Sequence, residues 1–134
     1  MGGSTYRVVA LVPNLMDRGR VEAAVRAAGA SVEFVATVPQ LEQAVDEGAR
    51  LAVVDLAVTD VLAAVAALSA LGTPTVGFGS HVDRDLLRRA RDGGCQEVVP
   101  RSAVSRRLPQ IVAAGMAGVV GTGQPTGSDS APDG

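Results

Sequence analysis

Leu51-Ala52-Val53-Val54-Asp55 is an unbroken apolar run closed by a carboxylate. Four apolar residues without polar alternation, bounded by Gly48 upstream, read as a strand buried on both faces, as in a parallel sheet. In an open α/β sheet the carboxyl ends of such strands are where ligands and chemistry sit. Asp55 is therefore placed as a candidate nucleophile or Mg²⁺ ligand. Which of these it is depends on the groups that join it at that edge.

Outward from this run, strand and helix patterns alternate five times along the chain. Arg7–Val12 is a β-branched apolar run, and Val21, Ala24, Val25 and Ala28 then repeat at helical spacing up to the stop Gly29. Ser31–Ala36 reads as the second strand. Pro39 suits the first position of a short helix that carries Leu41, Ala44 and Val45 and stops at Gly48. After the central run, Thr59 is the expected cap of a helix reaching Leu71, with Gly72 beyond it. Thr75–Phe78 is strand four. Asp83 caps a helix whose later turns carry Arg88, Arg89 and Arg91, an arrangement that complements the helix dipole. Glu97–Val99 is strand five. A helical turn over Ser102–Arg107 follows, and Pro109 is expected to open the last helix. Short connections between five βα units imply a doubly wound, flavodoxin-like, three-layer α/β/α architecture. The strand order expected for its five parallel strands is 2-1-3-4-5. From 121 to 134 the composition turns to Gly, Pro, Ser, Thr and Asp without apolar periodicity. That stretch is expected to be a disordered tail, which leaves residues 1–120 as one domain.

Composition narrows the chemistry. Of the 134 residues 47% are apolar, yet only Tyr6, Phe34 and Phe78 are aromatic, so the core must be Val, Leu and Ala. All twelve cations are Arg, which excludes a catalytic Lys. Lone Cys95 gives no disulfide framework and fits a reducing, cytoplasmic setting. There is no signal-peptide pattern and no apolar run of membrane-spanning length. The net charge of −2 is unevenly spread. Residues 84–107 hold seven Arg (84, 88, 89, 91, 101, 106 and 107) against three acids, and residues 1–83 hold five Arg against nine acids. The basic stretch lacks the density and aromatic interleaving of a nucleic-acid surface. The segment Asp60–Leu71 interleaves Val61, Leu62, Val65 and Leu68 with Ala. Such an all-round apolar helix is either a contact face or an Ala-rich surface that solvent tolerates.

The ladder with Asp55 ending strand three resembles the response-regulator receiver domain, a CheY-like fold, over roughly residues 6–120. In that family the Asp takes a phosphoryl group. Two acids at the end of strand one help hold Mg²⁺, a Ser or Thr ends strand four, and a Lys ends strand five. The hydroxyl and ammonium hold phosphoryl oxygens, and Mg²⁺ requires oxygen ligands with charge compensation. Carried over residue by residue, Asp55 takes the phospho-acceptor position. The acid pair falls on Val12-Pro13 or Pro13-Asn14. The hydroxyl position falls on Gly79, with Ser80 and His81 next, and the Lys position falls on Arg101. Asp17 lies further on and is expected to point along the first helix. Asp55 with Asn14 offers too little charge to strip water from Mg²⁺. Arg101 is instead expected to pair with Asp55. The chain thus reads as a degenerate receiver, or pseudo-receiver, with no catalytic residue, no metal site and no cofactor.

Several other groups have plain structural readings. Asp55 can cap the turn after its strand, and His81 can be an ordinary turn residue. No second His builds a metal site, and Cys95 lies at the amino edge, opposite His81. Gly77-Phe78-Gly79 is not a phosphate loop, since that signature follows a first strand, where Pro13-Asn14-Leu15 stands. Arg84, Arg88, Arg89, Arg91, Arg106 and Arg107 form either a solvated face or, as the resemblance implies for the surface around strand five, a partner face. The functional expectation is a regulatory module that acts by protein contact, through another protein or self-association, with neither nucleic acid nor membrane. The alternatives are a phosphorylatable regulator using Asp55, or a small flavodoxin-like ligand-binding protein or enzyme.

Overall fold

The run 51–55 is the central strand of a five-stranded, all-parallel sheet in the order β2-β1-β3-β4-β5. The computed structural model describes residues 6–121. Its elements are β1 (Arg7–Leu11), α1 (Leu15–Ala27), β2 (Ser31–Val35), α2 (Val38–Asp46), β3 (Leu51–Asp55), α3 (Val61–Ala70), β4 (Thr75–Gly79), α4 (Arg84–Asp92), β5 (Glu97–Pro100), a 3-10 turn (Arg101–Ala103) and α5 (Val104–Gly121). This is the doubly wound order expected from the sequence. Residues 122–134, most of the expected tail, lie outside the described residues.

Every residue of β3 and β4 is buried, because helices cover both faces of the sheet. On one face Val8, Ala10, Val12, Val53 and Phe78 pack against α1 and α5; on the other Val9, Leu11, Ala52 and Val54 pack against α2, α3 and α4. Two-sided burial explains why these strands lack polar alternation. The expected helix stops Gly29, Gly48 and Gly72 all take positive φ. In β4, a Cβ on Gly77 would stand 2.8 Å from Leu56 Cδ2 and 3.1 Å from Cys95 Sγ. The missing side chain lets Leu56, the residue after Asp55, pack directly on the β4 backbone.

Three helix starts differ from expectation. Thr59 does not cap α3; Asp60 occupies the cap position in a left-handed conformation (φ 65°) and makes no side-chain cap bond. The tight β3–α3 turn, in which the Val58 and Val61 amides donate to Asp55 O and Val58 O, places that corner one residue later. Thr37 caps α2, so Pro39 stands one residue past the first helical position. Pro109 lies inside α5 rather than at its start. Val104, Leu108, Ile111 and Val112 form one continuous buried stripe. Burying that stripe outweighs the single hydrogen bond that Pro109 cannot donate. The outward face of α3 is Ala63, Ala66, Ser69 and Ala70, while Val61, Ala64, Val65 and Leu68 are buried. Small side chains, rather than large apolar ones, meet solvent there.

Candidate functional site

Strand register brings the site residues to one edge. Leu11 is level with Val54, Asp55 with Phe78, and Gly79 with Pro100. The segments after β1, β3, β4 and β5 therefore leave the sheet side by side at its carboxyl edge, carrying Asn14, Asp55, Ser80 and Arg101.

The centre of the site is the Arg101 guanidinium. Its Nη2 donates to Asp55 Oδ1 at 3.3 Å. Its Nη1 donates to Asp17 Oδ2. Its carbon lies 5.0 Å from the centroid of the buried Phe78 ring. Both carboxylate side chains are 8% exposed, against 32% for Arg101. One planar cation thus joins two buried anions and an aromatic face, which a guanidinium does better than an ammonium. Asp55 Oδ1 also accepts from Ala57 N at 2.9 Å. The same oxygen caps the turn and takes the ion pair, so both roles expected of Asp55 are present. Asp17 Oδ1 faces Arg20 Nη1 at 3.4 Å.

Asp17 corrects the expectation that it points along α1. It is buried, while its neighbours Leu15 and Met16 are 76% and 71% exposed. Asn14 caps α1 by accepting the Asp17 amide at 3.1 Å, which fixes the first turn. The sequence did carry a signal. Asp17, Val21, Ala24, Val25 and Ala28 share one helical stripe, so an acid continues the buried face towards the sheet edge.

The remaining candidates surround this centre. Val12 is fully buried, whereas Pro13 and Asn14 are exposed. Gly79 ends β4, its missing Cβ facing Leu87 and Leu56. Ser80 Oγ accepts from Val82 N at 3.4 Å, capping its own turn. An open cleft of about 510 Å³ is lined by Arg20, Ser80, His81, Arg101, Ser102 and Ser105. His81 therefore borders the site. Cys95 does not; it is buried under β4, and burial pushes its thiol up to about 11, so it is protonated at neutral pH.

The residues do not fit the Mg²⁺ centre that the family resemblance implies. Mg²⁺ needs near-octahedral oxygen donors and net negative charge. Here both carboxylates already bind one guanidinium, and the Asn14 side-chain oxygen caps α1. Among the described residues no group of three or more His, Cys, Asp or Glu is placed to hold a metal ion.

The cations expected at a partner face are found on α4 and α5, which flank the β5 edge. Arg88 and Arg89 reach Asp85 at 2.8 and 3.9 Å, and Arg107 reaches Glu97 at 3.2 Å. Arg84, Arg91 and Arg106 are exposed.

No family model and no curated protein sequence matches the chain. Its fold matches solved receiver domains. The receiver domain of the TMAO respiratory system response regulator TorR aligns with a TM-score of 0.73 at 17% identity, covering 81% of this chain and 94% of that one. HP1043, an orphan response regulator of H. pylori, aligns with a TM-score of 0.66 at 17% identity, covering 86% and 96%. An atypical orphan response regulator, described as having a phosphorylation-independent regulatory mechanism, aligns with a TM-score of 0.66 at 16% identity, covering 83% and 92%. The chain has the receiver-domain fold.

Proposed function

We propose that this chain is a receiver-like regulatory module that acts by protein contact and takes no phosphoryl group at Asp55. The observation that carries this reading is the Arg101 guanidinium bridging Asp17 and Asp55. An attacking carboxylate needs beside it a cation free to neutralise the incoming phosphoryl charge, and an ion pair to the carboxylate lowers its nucleophilicity. Asp55 Oδ1 is engaged twice. The one central cation is spent on the two carboxylates. Val12-Pro13-Asn14 supplies none of the acids that hold a metal in receivers, and there is no Lys. The likeness to an atypical orphan regulator whose regulation is phosphorylation-independent supports the same reading.

The contact surface of this reading is the Arg-rich border of β5: Arg84, Arg88, Arg89, Arg91, Arg106 and Arg107. No described helix is long and apolar enough to cross a membrane. The partner in this reading is a cytoplasmic protein.

The test is mass spectrometry of the intact chain after incubation with acetyl phosphate and Mg²⁺. The expected result is no phosphoryl adduct. A stoichiometric adduct that disappears in Asp55→Asn overturns the reading and makes the chain a phosphorylatable regulator.

A further inference from the structure

We propose that the arginine edge of one copy of this chain docks on the acidic α2–β2 edge of a second copy, head to tail. The inference rests on the contact reading above and names the partner. It comes from how unmatched charge is divided between the two ends of the sheet.

β2 and β5 are the outer strands. α4 packs over β4 and β5 on one face and α5 lies on the other, so both border the β5 edge. The acids there are largely used within the chain: Asp85 by Arg88 and Arg89, and Glu97 by Arg107. Arg84, Arg91 and Arg106 are exposed and form no ion pair among the described residues, and the unmatched acids beside them are Asp92 and Asp83, the α4 cap whose carboxylate accepts the Leu86 amide.

At the opposite edge the sign is reversed. Glu42, Asp46 and Glu47, on α2 and just after it, have no cationic partner among the described residues. The Glu47 carboxylate accepts only from Gln43 Nε2, at 3.1 Å. The nearby cations are Arg7, Arg18 and Arg50; Arg7 is committed to Glu33 at 3.4 Å and to the Glu47 carbonyl at 2.9 Å, and Arg18 lies on the Phe34 ring, with its Nε donating to the Val12 carbonyl. Between β2 and α2 runs a groove of about 260 Å³ whose polar lining is Glu33, Gln40, Gln43 and Glu47. Carboxylates and amide oxygens around a narrow groove are what a guanidinium binds.

Charge also selects the geometry. Two arginine edges facing each other would oppose Arg84, Arg91 and Arg106 to their own copies, with few acids left to compensate. A basic edge meeting an acidic edge matches sign with sign. Because the two edges lie on opposite sides of one molecule, such a contact is heterologous and propagates as a chain rather than closing as a two-fold dimer.

Sedimentation velocity over a concentration series, at low and high salt, tests this with two charge reversals. One variant is Arg84→Glu/Arg91→Glu; the other is Asp46→Arg/Glu47→Arg. All four positions are exposed, and far-UV circular dichroism checks that both variants fold. The wild type is expected to associate at low salt and dissociate at high salt. Each variant alone is expected to associate about tenfold more weakly, since several exposed charge pairs change sign together. An equimolar mixture of the two is expected to regain association, because the acidic edges of one then meet the basic edges of the other. A wild type that stays monomeric at low salt overturns the proposal. So does an Asp46→Arg/Glu47→Arg variant that associates like the wild type, or a mixture that stays monomeric. Each of these leaves the phosphorylation test unaffected, so self-docking fails separately from the contact reading.

Discussion

Arg101 holds two buried carboxylates and an aromatic ring with one side chain, so its loss is felt at three places. Arg101→Ala leaves Asp55 without a cation and Asp17 with Arg20 alone, and should cost about 1–3 kcal/mol. Arg101→Lys keeps the charge, but a single ammonium cannot span both acids as a fork does, so it should recover only part of that loss. Urea unfolding of the three proteins measures both effects; equal midpoints would show that the bridge contributes nothing to stability. Asp55 and Arg101 were legible as a pair because strand ends announce themselves in sequence. Asp17 was missed because it lies past the acid-pair position after strand one and was expected to point along the first helix. Only the stripe it shares with Val21 and Ala24 places it inside. Cys95 gives a separate test. Its thiol rises from an ordinary 9.0 to about 11, chiefly through burial, with the Gly77 backbone hydrogen bond acting in the opposite direction. The folded state then holds a proton that the unfolded state releases, so this stability is fully present below about pH 9 and is lost as pH rises towards about 11. Denaturant midpoints across that window should fall less steeply in Cys95→Ala than in the wild type.

The strands were readable as elements because two-sided burial writes them as unbroken apolar runs. Helix starts were less readable. At α3 both Thr59 and Asp60 are plausible caps, and the turn after Asp55 decides between them. At α5 a Pro suggests a start, but a longer apolar stripe overrides it. β4 shows a different kind of information. Gly77 looks like a weak point in a strand, yet its missing side chain is the contact surface for Leu56 and Cys95. Gly77→Ala should therefore destabilise by about 1–3 kcal/mol through overpacking, despite the better strand propensity of Ala. A thermal melt decides it: a midpoint equal to or above that of the wild type would mean that Leu56 moves aside freely.

Across the whole molecule, the parallel sheet separates two jobs. Its middle strands form the core, and its carboxyl edge gathers four chain segments into one polar centre. The parallel sheet was legible from short connections between five βα units, whereas its strand order was a choice among the doubly wound orders. The uneven charge was legible too, as a basic stretch following an acidic one. What sequence alone could not supply was which acids are already taken, since Arg7 with Glu33 and Arg107 with Glu97 meet only in the folded sheet. The Arg101 bridge has one more consequence at this scale. A cation supplied by the chain is tethered, and its effective concentration at the two carboxylates does not change with the medium. On the proposed reading, the charge balance of the pocket is set by the chain itself rather than by magnesium. A ligand that finds no site on the native state adds nothing to stability by mass action, so the melting midpoint should be the same with Mg²⁺ as with EDTA. A midpoint that climbs with Mg²⁺ would show the ion displacing the guanidinium.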